Sequence, residues 1–264
     1  MKHGIYEDLA GKTALVTGGL GFLGRALCEE FAKQGTNLII LDKVKEDEGF
    51  LTFLKSYEIS VVFYQVDFES EMSRTTVIQD ISTSTPRLDI LINNAAYVGS
   101  AEASGWNVPF EIQSITTWKK ALEVNLTTPF HLVQGLEKIL RASNSPSIVN
   151  IGSIYGSNGP DWGIYAGTNM GNPAGYAVSK GGLIQLTRWL ATTLSPKIRV
   201  NCVSPGGISR NQDPEFIERY IARTPLKRMA TEGEIVGIIL FLSSFGAEYV
   251  TGQDIQVDGG WSAW

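Results

Sequence analysis

Only two cysteines and two histidines occur in 264 residues. Cys28 and Cys202 fall in separate segments with no metal-ligand spacing around either, so they read as buried free thiols rather than as a zinc site or a disulfide. His3 and His131 have no partner residues in pattern, and no metal is expected. Long apolar runs are missing too: no stretch approaches the roughly 18 residues that a membrane helix requires. Met1 to Gly11 carries charges and no apolar core followed by small residues, so no secretory leader is expected and a cytoplasmic setting follows. Nor is there a block of charge of one sign. Lys and Arg number 22 against 27 Asp and Glu, interspersed to a net −5, which argues against nucleic acid as a partner. What remains is a chain with 43% hydrophobic residues and no linker, repeat or low-complexity tract, read as one domain over 1–264.

Short runs rich in Val, Ile and Leu recur at 13–17, 37–41, 61–64, 88–92, 147–151 and 198–203. They are nearly continuous in apolar character, as suits strands covered on both faces. Between them, residues 25–33, 69–81, 117–140, 175–194 and 232–241 carry apolar residues at helical spacing. Regular alternation of this kind predicts βαβ units with right-handed crossovers, and hence a doubly wound α/β fold with helices on both faces of a parallel sheet. Such a sheet binds its ligand beyond the carboxyl ends of its strands. Three irregular stretches, 96–114, 156–174 and 204–225, each follow a strand and are expected to gather there.

The first strand runs into Thr17-Gly18-Gly19-Leu20-Gly21-Phe22-Leu23-Gly24 and then into a helix. Glycines at 18, 21 and 24 permit a tight turn, close approach of backbone amides to a pyrophosphate and close helix packing, with the helix N-terminus facing the negative charge. Alone, such a triplet also serves an ordinary strand-to-helix turn. Asp42 ends the second strand, where a carboxylate can accept hydrogen bonds from an adenosine ribose and repel a 2′-phosphate. That favours NAD over NADP, with Lys43 leaving slight room for the phosphorylated form. A second constellation is Tyr176-Ala177-Val178-Ser179-Lys180 at the start of a helix, where positions i and i+4 share a face. A free tyrosine titrates near pH ~10, and a neighbouring ammonium favours the phenolate. Ser153 follows the strand 147–151 and can hold a substrate oxygen against Tyr176, although strand-end serines also form turns.

Thr17 to Gly24, Asn93-Asn94-Ala95-Ala96, Asn125, Ser153, Tyr176 with Lys180, and Pro205-Gly206 stand in the order and approximate spacing of the short-chain dehydrogenase/reductase family. The chain resembles that family from about Gly11 to Gly260. The resemblance implies a Rossmann-type fold with a mostly parallel, seven-stranded sheet whose last strand lies in the tail 249–260. It implies an oxidoreductase that moves a hydride between nicotinamide and a carbonyl or alcohol carbon. By position, Tyr176 would be the general acid/base and Lys180 the ribose-binding group that lowers the tyrosine pKa. Ser153 would orient substrate and Asn125 would anchor a relay water. Gly18, Gly21, Phe22, Leu23, Gly24 and Asp42 would hold the cofactor, with Asp67 and Phe68 flanking adenine, Asn94, Ala95 and Ala96 beside it, and Pro205 and Ile208 near the carboxamide. A homo-oligomer, dimer or tetramer, is a further implication, with Trp261 and Trp264 buried at a subunit interface.

Three positions depart from the family pattern. Gly21-Phe22 stands where short members usually carry a non-glycine and then Gly, as in the sugar-nucleotide epimerase branch, whose substrate domain this length does not accommodate. Arg210 occupies a position often held by Thr, where it can meet a phosphate or carboxylate or lie solvated on the surface. The stretch between Ser153 and Tyr176 is long and inserts Asp161, Trp162, Tyr165, Thr168, Asn169 and Asn172. Those neutral hydrogen-bonding groups suit a polar substrate such as a sugar or sugar phosphate better than a fatty acyl chain. Competing readings are an NAD-retaining sugar-nucleotide epimerase or dehydratase, a 3-oxoacyl-type reductase, and a dinucleotide-binding sensor without activity.

Overall fold

In the computed structural model, which describes residues 6–99 and 103–264, seven strands form one sheet in the order β3-β2-β1-β4-β5-β6-β7. They are β1 (Thr13–Thr17), β2 (Asn37–Asp42), β3 (Val61–Gln65), β4 (Ile90–Asn93), β5 (Ser147–Ile151), β6 (Arg199–Pro205) and β7 (Asp254–Val257). Every neighbouring pair is parallel. The order reverses at β1, where β2 lies on one side and β4 on the other, and a crevice opens at such a switch point.

The period of two along each strand decides which helix layer a residue meets. Ala14 and Val16 of β1 face a core with Leu27 and Phe31 of α1 (Phe22–Lys33), Leu51 and Leu54 of α2 (Glu48–Lys55), and Ile235 and Ile239 of α8 (Glu232–Ser243). Leu15 faces the opposite core, built by Val77 and Ile81 of α3 (Glu71–Ser84), Leu132 and Leu136 of α5 (Thr128–Arg141), and Leu190 of α6 (Ala174–Thr193). Apolar residues on both sides of one strand are what a sheet sandwiched between helices demands.

The helix expected over 117–140 is divided. Helix α4 (Ile115–Leu122) passes into a π-helical turn, Glu123–Thr127, before α5 begins. Two further helices stand where none was expected. Asp47 caps α2 by accepting from Phe50 N at 3.0 Å. In the stretch 204–225, Asp213 accepts from Glu215 N at 2.9 Å and Pro214 occupies the first turn of α7 (Pro214–Arg223). An Asp cap followed by Pro and Glu is a helix start legible in sequence, and Phe216 and Tyr220 supply the buried face. Among the described residues no helix is long and apolar enough to cross a membrane, and no cluster of three metal-ligating side chains occurs.

Candidate active site

The carboxyl ends of β1 and β4 are fastened together by one hydroxyl and one amide. Thr17 Oγ1 accepts from Asn94 N at 3.0 Å and Ala95 N at 2.9 Å. The Asn94 side-chain amide donates to Thr17 O at 2.9 Å and Gly18 O at 3.1 Å. This fixes the loop 18–24, and the loop admits little besides glycine at two points. Gly18 has φ +65°, and a Cβ there would lie 2.9 Å from Ala95 Cα. A Cβ on Gly24 would lie 2.0 Å from Gly18 O. Gly21 caps α1 without any side-chain hydrogen bond and the first turn holds no acid, so its amides face the crevice with nothing to compete against an anion. Asp42 stands at the other end of this loop: Oδ2 accepts from Leu20 N at 2.9 Å and Oδ1 from Val44 N at 3.2 Å.

A cleft of about 560 Å³ runs along these strand ends. It is lined by Gly18, Gly21, Phe22, Leu23 and Gly24, by Asp42, by Asp67 and Phe68, and by Asn94, Ala95 and Ala96. Ser153, Tyr176, Lys180, Pro205 and Ile208 line its other end. Of the residues expected to carry catalysis or hold the cofactor, Asn125 stands outside the lining. An anion-accepting helix turn, a carboxylate at the far rim and an apolar slot beside Phe68 fit a dinucleotide extended across the switch point.

Ser153 is buried, and its Oγ accepts from Tyr155 N at 3.2 Å to cap the short turn 154–156. The Ser153 hydroxyl and the Tyr176 phenol line the same end of the cleft. Lys180 is 3% exposed, donates to Ile151 O at 2.6 Å, and lies 5.8 Å from the centre of the Tyr176 ring. Burial without a carboxylate partner lowers the Lys180 pKa to about 8. Burial pushes the Tyr176 phenol up, while the Ser153 hydroxyl and the Arg210 charge oppose the rise. Here desolvation outweighs the lowering expected from the neighbouring ammonium.

Asn125 lies in the π-helical turn one layer behind the cleft. Its Oδ1 accepts from Tyr97 N at 2.6 Å, and its Nδ2 donates to Tyr97 O at 3.2 Å and Ser179 Oγ at 2.9 Å. Ser179 in turn donates to Tyr176 O at 2.8 Å. The side chain is thus committed to protein partners, and it ties the loop after β4 to the turn that carries Tyr176.

Arg210 is exposed at the wall of the cleft, where it pairs with Glu232 at 3.1 Å and stacks 4.6 Å from the Phe22 ring centre. Two residues that sequence did not single out shape the same loop. Gln212 donates to Ile208 O and accepts from Arg210 N, both at 2.6 Å, and the Tyr220 hydroxyl accepts from Gly207 N at 2.5 Å. The insert folds against α7 through an Asp161–Arg223 ion pair and stacking of Tyr165 on Phe216 at 5.4 Å. Trp261 is 1% exposed within this same cluster, beside Tyr220 and Arg223, so its burial is completed inside the chain rather than at a subunit interface. Trp264 is exposed.

Seven parallel strands in this order, with a glycine turn at the switch point and Ser, Tyr and Lys converging beside it, define a doubly wound dinucleotide-dependent oxidoreductase. Comparison with known proteins gives the family. A model described as Enoyl-(Acyl carrier protein) reductase matches residues 21–262. A tropinone reductase homolog of Arabidopsis thaliana is 35% identical over 97% of this chain and 94% of its own length. A short chain dehydrogenase from Leptospira borgpetersenii solved with NAD+ superposes with a TM-score of 0.85 at 33% identity, covering 99% of this chain and 97% of that one. The RhlG/NADP active-site complex of Pseudomonas aeruginosa gives 0.83 at 29% identity, covering 98% and 99%. The chain belongs to the short-chain dehydrogenase/reductase family and is an NAD(P)-dependent oxidoreductase.

Proposed function

We propose that this protein uses NAD(H) to interconvert a secondary alcohol and a ketone on a small polar substrate, with Tyr176 exchanging the substrate proton. The observation that carries the reading is the meeting of Ser153, Tyr176 and Lys180 in the same cleft as the loop 18–24. When bound, the dinucleotide supplies or takes up the hydride. The chain's own residues do the rest. Loop amides at the α1 N-terminus and the carboxylate of Asp42 bind and orient the cofactor; Asp67, Phe68, Asn94, Ala95, Ala96, Pro205 and Ile208 wall its slot. Among the described residues Lys180 brings the only ammonium to the buried end of the slot, and it favours phenolate as it forms. Ser153 Oγ holds the substrate oxygen in line with Tyr176 Oη, which gives its proton up in reduction and recovers it in oxidation. Asn125 is a positioning residue that acts through Ser179.

NAD(H) is preferred over NADP(H) because Asp42 directs its charge at the rim where a 2′-phosphate would lie. Cytoplasmic residence and a homo-oligomer, dimer or tetramer, complete the reading; in its support, β7 is an edge strand and Trp189 and Trp264 are exposed. The test of the chemistry is Tyr176→Phe. It should remove turnover by a factor of at least ~1,000 while NADH affinity changes less than about threefold; retained turnover overturns the assignment.

One observation favours a second reading, in which the cofactor stays bound between turnovers as in an epimerase. Arg210, in the wall of the cleft, joins Glu232 at the start of α8 to Phe22 at the start of α1, beside the loop that would hold the cofactor. Appearance of free NADH in stoichiometric amount with product decides for the dehydrogenase.

A further inference from the structure

Asn172 is 6% exposed, and neither its Nδ2 nor its Oδ1 has a hydrogen-bond partner. Buried amides are nearly always paired within the protein, so an unpaired one beside a cavity needs a reason. The cavity is a second one, of about 810 Å³, and Tyr176 is shared between its wall and that of the cofactor cleft. The other buried or bulky polar groups around it are engaged, and Ser104 and Asn169 are exposed to solvent. Trp106 Nε1 donates to Val98 O at 2.8 Å, the Asn107 amide donates to Asn169 O, and the Tyr155 hydroxyl pairs with that of Tyr165. None of the described lining residues carries a charge.

We propose that Asn172 reads a hydroxyl of the substrate, and that the substrate carries neutral hydroxylated carbons beside the reacting one. This deepens, and rests on, the assignment of Tyr176 above. The backbone supports it: Pro173 caps α6, so Asn172 is held two residues before the helix and one helical turn from Tyr176. A Cβ on Gly171 would lie 2.3 Å from Asn107 Oδ1, so glycine keeps this turn close against the far wall. A primary amide offers donor and acceptor together, the complement of a hydroxyl. A carboxylate would meet no cation here, and an acyl chain would leave both amide atoms unpaired, which is the strongest form of rejection a site can build.

The probes are xylitol and D-sorbitol as polyols, 2-butanol as an alcohol without a second hydroxyl, and acetoacetyl-coenzyme A as an acyl thioester, each with the matching redox form of the cofactor. The wild type should oxidise a polyol with kcat/KM at least ~100-fold above 2-butanol. Asn172→Leu, of similar volume, should lower the polyol value at least ~30-fold and leave 2-butanol within about threefold; Asn172→Ser, which keeps a donor and an acceptor, should recover part of the loss. The proposal is overturned if no polyol is turned over, if acetoacetyl-coenzyme A is preferred, or if the substitutions lower polyol and 2-butanol alike in protein that still binds NADH. An active Tyr176→Phe would instead sink the underlying assignment, so the two failures are distinguishable.

Discussion

Replacing Lys180 by methionine separates what the fold gains from what the reaction needs. The ammonium is buried with one carbonyl partner, Ile151 O at 2.6 Å, and no counter-charge. A fall from 10.5 to about 8 corresponds to a penalty of about 3 kcal/mol at neutral pH, at ~1.4 kcal/mol per pH unit. Methionine removes that penalty and keeps most of the packed volume. It also leaves Ile151 O without its donor, which costs about 1–2 kcal/mol. The variant should therefore be more stable at pH 7 by about 1–2 kcal/mol, or roughly 2–4 °C in Tm. The folded pKa lies below the unfolded one, so the wild type bears the full penalty below about pH 8 and sheds it as pH rises towards 10.5. The stability advantage of the variant should shrink over that window and reverse above it, where only the lost hydrogen bond to Ile151 O remains, at about 1–2 kcal/mol in favour of the wild type. Urea unfolding without cofactor, at pH 7 and pH 10 with equal m-values, measures both quantities. A variant destabilised at pH 7, or an advantage that does not change with pH, would show that burial does not penalise the Lys180 ammonium. Turnover should fall at least ~100-fold in the same protein.

Two further substitutions probe the cofactor end. Gly24→Ala drives a methyl against the Gly18 carbonyl at 2.0 Å, a backbone contact that no rotamer relieves. It should cost about 2–4 kcal/mol in urea unfolding and weaken NADH binding by more than ~30-fold in a fluorescence titration; full NADH affinity would show that the loop does not cradle the cofactor. Asp42→Asn keeps an oxygen for Leu20 N, removing charge with little change of shape. The ratio of kcat/KM for NAD over NADP should fall at least ~10-fold, and an unchanged ratio would remove Asp42 from cofactor selection.

The sheet was legible because both of its faces are covered. Residues such as Leu38-Ile39-Ile40-Leu41 alternate between two apolar helix layers, so the run has no polar beat and can hardly be anything but a central strand. What escaped had a weaker signature. Helix α2 is eight residues long, too short for periodicity to declare itself, and only its Asp47 cap marks it. Helix α7 hid in a stretch rich in Gly, Pro and Asn, where composition spoke for a loop while Asp213-Pro214-Glu215 spoke for a helix start. The division of the helix over 117–140 has no marker in side-chain pattern, since a π-helical turn changes the backbone bonds and leaves apolar spacing almost intact.

The candidate site was legible to the extent that its chemistry is local in sequence, and it escaped where chemistry depends on burial. Tyr176 and Lys180 lie four apart on one helix, so their convergence follows from helix geometry alone. Their electrostatics do not. From spacing, the ammonium ought to draw the phenol down; in the fold both groups are withdrawn from water, the phenol rises and the ammonium falls. Each is thus biased towards its neutral form before any ligand arrives. A phenol held neutral is primed to give a proton to a ketone oxygen, whereas alcohol oxidation requires that the proton first leave. Asn125 makes the complementary point. The family resemblance implied a group that anchors a relay water; what the fold adds is that its three side-chain hydrogen bonds to Tyr97 and Ser179 join the β4 loop to the Tyr176 turn. Spacing shows which residues can meet; which atoms remain free to react is decided by the partners that long-range packing supplies.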